Sequence, residues 1–137
     1  MRRLSAFSCF AFSAVLLAGC GGSNKIDANG RVVKGGDPFT MPEGEYLRII
    51  FHPVVGPGER ELNQYVARFD RQTGSFTVVG GDGRGLPPGK YHVTLSHEKK
   101  KKDLFRGAFD GDKSPFVIEV TDGKSEVVLD LADTSKG

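Results

Sequence analysis

Leu86-Pro87-Pro88-Gly89-Lys90-Tyr91-His92-Val93-Thr94-Leu95-Ser96 is the stretch that decides the fold. Two prolines restrict the backbone and preset a turn, and Gly89 permits a φ that other residues resist. From Lys90 onward the residues alternate. Tyr91, Val93 and Leu95 are apolar or aromatic, while His92, Thr94 and Ser96 are polar. Successive side chains of a strand point to opposite faces, so this period of two predicts a strand over 90–96 with one buried and one wet face.

The same signature recurs on both sides. Upstream, strands are predicted over 31–34, 46–52 (Leu47, Ile49 and Phe51 inward), 64–69 (Tyr65, Ala67 and Phe69 inward) and 75–79 (Phe76 and Val78 inward). Downstream, they are predicted over 116–120 and 126–131, the latter with Val127, Leu129 and Leu131 inward. Between them lie turn clusters such as Gly35-Gly36-Asp37-Pro38, Gly56-Pro57-Gly58 and Thr121-Asp122-Gly123-Lys124. No segment keeps a helical period. Seven short strands without helices predict an all-β domain, a single seven-stranded Greek-key β-sandwich over residues 30–131. An up-and-down barrel is the second choice; a transmembrane barrel would need more and longer strands. Residues 132–137 read as a disordered tail, and 98–114 as a long polar loop.

The first 19 residues read as an address. Arg2-Arg3 is a basic start, and Leu4 to Ala18 is an apolar run too short to span a bilayer, which takes about 20 residues. Leu17-Ala18-Gly19-Cys20 resembles the lipobox of bacterial lipoproteins. That resemblance implies cleavage after Gly19 and a lipid on Cys20, followed by a flexible tether over 20–29. Gly21, rather than Asp, favours an outer membrane where one exists. Of the two cysteines, Cys9 would leave with the signal and Cys20 would carry lipid, so the mature domain expects no disulfide.

The frame Gly30-Arg31-Val32, Ile49-Ile50-Phe51-His52-Pro53, Thr73-Gly74-Ser75-Phe76, Leu86-Pro87-Pro88-Gly89-Lys90-Tyr91 and Ser114-Pro115 resembles carboxypeptidase regulatory-like, or transthyretin-like, domains common in small planctomycete lipoproteins. The likeness implies a transthyretin-like sandwich. Its most specific part is residues 86–91. There Pro88, Gly89 and Tyr91 form a structural corner, with the Tyr91 hydroxyl closing onto the adjoining loop.

The chemistry is sparse. Formal charge is +2, and removing Arg2 and Arg3 leaves 17 basic against 17 acidic side chains, which speaks against nucleic-acid binding. His92 and His97 point to opposite faces of one strand. A His52–His92 metal pair is conceivable but unspecified, so no metal site and no cofactor are expected. The glycine-rich 80–85 stretch lacks the Lys-Ser/Thr of a phosphate loop, and Asp110-Gly111-Asp112 lacks the remaining ligands of a calcium loop. No Gly-x-Ser-x-Gly elbow is present. Lys99-Lys100-Lys101-Lys102 reads as a solvated loop able to contact an anionic surface. The expectation is a non-enzymatic, lipid-anchored envelope module, held at the membrane by Cys20 and contacting an envelope protein or a glycan. A carbohydrate-binding module is one alternative. A transthyretin-like hydrolase is another, though the terminal Tyr-Arg-Gly-Ser of that group is absent.

Overall fold

The computed structural model describes residues 25–59, 63–80, 85–121 and 126–135. They form β1 (Ala28–Lys34), β2 (Asp37–Pro38), β3 (Glu45–Pro53), β4 (Tyr65–Phe69), β5 (Ser75–Val78), β6 (Gly89–Lys99), β7 (Lys102–Asp103), β8 (Phe116–Val120) and β9 (Glu126–Asp130). Seven of these coincide with the strands predicted from alternation; β2 and β7 are additional two-residue hairpin arms. Gly111–Lys113 and Leu131–Ser135 are short 3-10 turns, and the described residues contain no α-helix. Leu131 was expected to end the last strand and 132–135 to be tail; together they form one 3-10 turn. It is shaped by the Asp130 carboxylate, which accepts the Ala132 N–H at 2.9 Å.

Antiparallel pairing links β1-β5-β4-β3-β6 in that order. β8 adds antiparallel to β6, and β9 adds parallel to β1. The sheet curls so that its concave face encloses one core. Val32 and Leu129 from one side and Ile49, Phe51 and Val93 from the other are all sealed from solvent. Each such side chain contributes roughly 1.5–3 kcal/mol through burial, and this core must carry the stability.

β4 is the place where the sheet divides. Tyr65 and Val66 pair with Phe51 and Ile50 of β3, but Ala67, Arg68 and Phe69 pair with β5. β3 continues alone on that side from Glu45 to Arg48, its other edge still paired to β6. The divergence opens a cleft.

The domain has two distinct ends. At one, the Ile26 N–H donates to the Leu86 carbonyl oxygen at 2.7 Å, and Leu86 N–H returns the bond at 2.8 Å. Residues 26–29, expected in the tether, are therefore woven into the fold. The reason is local: Gly85 has φ +83°, and a Cβ there would overlap the Ile26 backbone, so glycine lets the two segments touch. The other end carries the tips of the β1–β2 and β6–β7 hairpins. β6, at 11 residues, spans roughly 35 Å between them.

The segment 98–114 corrects the expectation of a polar loop. β6 runs on to Lys99, and a series of turns then brings Phe105 and Phe109 to the core. Phe109 stacks on Phe116 with centroids 5.7 Å apart and planes 7° apart. The Leu95 N–H donates to the Phe109 carbonyl oxygen at 3.1 Å, so the segment also fills the β6 edge between β8 and β7.

Candidate functional site

Strand alternation puts Glu45 and His97 on the concave face, in phase with Leu47 and Leu95. Two polar side chains thus enter an apolar interior, where an unpaired charge would be costly. They answer each other. His97 Nε2 donates to Glu45 Oε2 at 2.7 Å, and Lys99 Nζ donates to Glu45 Oε1 at 2.7 Å. The Lys99 bond, with help from His97, holds the Glu45 carboxyl below the usual range against the opposing effect of burial. The rings of Phe39 and Phe105 meet the His97 imidazole edge-on at 5.6 and 5.4 Å. Bonded to one another and walled by aromatics, these groups are suited to fixing β3 against β6.

Asp103 completes the same end. Its carboxylate accepts the backbone N–H groups of His97, Phe105 and Gly107 at 2.9, 3.1 and 2.8 Å. Burial alone would raise its pKa; the three donors outweigh burial and lower it.

These contacts revise the picture of the lysine run. Lys99 ends β6 and is committed to Glu45. Lys100 and Lys101 form a two-residue hairpin turn with φ +48° and +65°, and Lys102 opens β7. Lys100, Lys101 and Lys102 are exposed. The turn lies at the end of the domain opposite Ile26.

At the Ile26 end sits the corner. Tyr91 is buried, and its hydroxyl donates to the Pro87 carbonyl oxygen at 2.6 Å. Its ring meets Phe51 and Tyr65 edge-on at 6.2 and 6.0 Å. Burial, with Tyr65 nearby, pushes the phenol up to about 12. Pro88 and Gly89 are exposed, and Gly89 has φ +153°.

The histidines divide as alternation predicts. His52 and His92 are direct partners across β3 and β6 on the convex face. His52 Nε2 shares a hydrogen bond with Thr94 Oγ1 at 3.0 Å, and His92 Nε2 donates to the Ser114 carbonyl oxygen at 3.0 Å. Asp110 and Asp112 line the same shallow recess. Among the described residues, no group of three or more His, Cys, Asp or Glu side chains is placed to hold a metal ion. Leu17, Ala18, Gly19 and Cys20 lie outside the described residues.

The feature that sequence reasoning missed is the cleft between β3 and β4. It has a volume of about 700 Å³. Leu47, Met41 and Phe69 give it apolar surface; Glu43, Tyr46, Arg71 and Gln72 give it aromatic and polar surface. The only signal in the sequence was Tyr46, an aromatic at an outward position. Compared with known protein families, with curated proteins and with solved structures, the chain matches none of them.

Proposed function

We propose that this chain is a lipid-anchored module of the cell envelope, tethered through Cys20 and acting by binding rather than catalysis. In this reading the curled sheet is a Greek-key sandwich related to the transthyretin-like, carboxypeptidase regulatory-like domains. One half is β9-β1-β5 and the other β3-β6-β8, with β4 crossing between them. The observation that carries the proposal is the Leu17-Ala18-Gly19-Cys20 motif directly behind an apolar run. The polarity of the domain supports it. The five residue steps from Cys20 to Lys25 span at most about 18 Å, so a lipid on Cys20 would hold the Ile26 end toward the membrane. The cleft and the lysine turn would then face outward, where a partner protein or a glycan is met.

Two or more acyl chains anchor stably, at about 0.8 kcal/mol per buried CH₂. Intact mass of the membrane-associated protein should show an acylated chain beginning at residue 20. Cys20→Ser should abolish the acylation and release the protein from the acylated membrane fraction. A mature chain with an unmodified Cys20, or one retaining residues 1–19, overturns the proposal.

A further inference from the structure

We infer that the cleft between β3 and β4 binds a saccharide, with Tyr46 as the stacking surface for a sugar ring. The inference rests on the binding role proposed above and names its ligand class. Three observations converge on it.

The first is the ring itself. Tyr46 is 71% exposed, whereas Tyr91 is 2% exposed and Tyr65 is partly covered. An aromatic ring left open to water at the rim of a concavity offers an apolar face at small entropic cost, because it has only two side-chain torsions to fix. The second is the set of polar groups nearby. The Glu43 carboxylate accepts hydrogen bonds, the Arg71 guanidinium donates them in a planar fork, and the Gln72 carboxamide does both. The third is the volume, about 700 Å³, within the range of roughly 300–1,000 Å³ typical of small-ligand sites.

A sugar ring matches this combination. One face of a pyranose presents C–H groups that stack on an aromatic. Its edge presents hydroxyls that each donate and accept, and so need mixed partners. The Asp70 Oδ1 accepts the Gln72 and Thr73 N–H groups in the β4–β5 turn, which fixes this carboxylate at the cleft and leaves Oδ2 as a further acceptor for a hydroxyl. The competing occupant is an extended peptide. It would add to the β3 edge over Glu45–Arg48 through backbone hydrogen bonds and would make no demand on the Tyr46 ring.

The test is calorimetric titration of the full chain in detergent with cellotriose, maltotriose and chitotriose. A valine- and threonine-rich hexapeptide is titrated in parallel. At least one trisaccharide should bind with 1:1 stoichiometry. Tyr46→Ala should weaken it by about tenfold or more, while Tyr46→Phe keeps affinity within about threefold, since the ring and not the hydroxyl does the stacking. The thermal midpoint of Tyr46→Ala should match the parent, because the side chain is exposed. Absence of heat with all three sugars at millimolar concentration, equal sugar binding by Tyr46→Ala, or binding of the hexapeptide alone overturns the inference. The anchor plays no part in this titration. An unmodified Cys20 would overturn the anchoring proposal and leave the sugar result standing.

Discussion

Two hairpins at the end of the domain away from Ile26 make the same kind of turn from opposite materials. The β1–β2 hairpin pairs Lys34 with Asp37 across Gly35-Gly36, whose φ values are +62° and +92°. The β6–β7 hairpin pairs Lys99 with Lys102 across Lys100-Lys101, at +48° and +65°. Two-residue hairpin loops of this type require left-handed backbone at both positions, which glycine adopts freely. Residues with a Cβ resist it by roughly 1–2 kcal/mol each. The lysine turn therefore cannot be shaped by local preference. It is held by its flanks: Lys99 is bonded to Glu45, and Asp103 gathers three backbone N–H groups. The glycine turn has a lighter tie, one bond from its Gly35 N–H to Asp130, whose carboxylate also serves Ala132. Where local chemistry favours a turn, one contact suffices; where it opposes the turn, tertiary bonds must impose it.

The sharpest way to break this contrast is to remove the two aspartates. Asp103→Ala leaves three partly buried N–H groups without their acceptor and should cost about 3 kcal/mol in urea denaturation, toward the low end per group because solvent reaches them. Asp130→Ala frees only exposed N–H groups and should cost distinctly less. Equal losses would mean that both turns depend alike on their aspartates.

Acid should expose the same difference. Asp103 and Glu45 both have folded pKa values below their unfolded ones, as does Asp130, whose shift comes from the Ala132 N–H first and the Gly35 N–H second. For a lowered carboxyl the unfolded chain takes up protons first as pH falls. Its stabilising contribution is complete above the unfolded value near 4 and is lost as pH drops through the folded value. Urea midpoints should be flat from pH 7 to about 5 and then fall. Asp103→Asn should flatten that acid limb more than Asp130→Asn. An unchanged limb in Asp103→Asn would remove Asp103 as its source.

Exchanging the turn residues is the next test. Gly35→Lys with Gly36→Lys should destabilise by about 2 kcal/mol, the left-handed penalty without a compensating network. Lys100→Asn with Lys101→Gly should stabilise by about 1 kcal/mol, less than the reverse change costs, because glycine gives the unfolded chain more freedom to lose. Thermal or urea unfolding of both doubles decides the point. A stabilised lysine double in the β1–β2 turn, or a destabilised Asn-Gly in the other, would show that the φ values do not govern these turns.

The contrast also explains what could be read in advance. Gly35-Gly36 announces a turn by composition, but Lys99–Lys102 carries no turn residue, so the run read as a loop. Alternation located β3, β6 and β9 because their apolar residues keep step. Extended by one more pair of residues, it would have carried β6 past Ser96 and set His97 inward, opposite Leu47 and diagonal to an inward Glu45. The lysine run obscured that continuation. Phe105 and Phe109 kept no strand period, and their burial depends on turns at 104–109 that sequence spacing does not reveal. The cleft was the least legible feature. It exists because β4 leaves β3 for β5 after Val66, a change of partner that the alternation of β4 does not mark.

The smallest predicted effect concerns the exposed lysines and the anchoring membrane. Under the proposed anchoring, the Ile26 end faces the lipid, and Lys100–Lys102 sits at the other end of β6, roughly 35 Å away along the strand. The Debye length is about 10 Å at 0.1 M salt, so the attraction of these charges to that surface is screened over more than three lengths. Lys100→Gln, Lys101→Gln and Lys102→Gln together should therefore leave the membrane-bound fraction of the lipidated full chain unchanged across a salt series. Stability should change little, since none of the three is the lysine that meets Glu45. Lys99→Gln is the informative partner. It removes the Glu45 contact and should lower the urea midpoint, again without altering membrane binding. Salt-dependent release of the triple variant from anionic but not neutral vesicles would show that the domain lies down on its membrane with the lysine turn in contact. That outcome would discard the outward orientation on which the placement of the cleft depends.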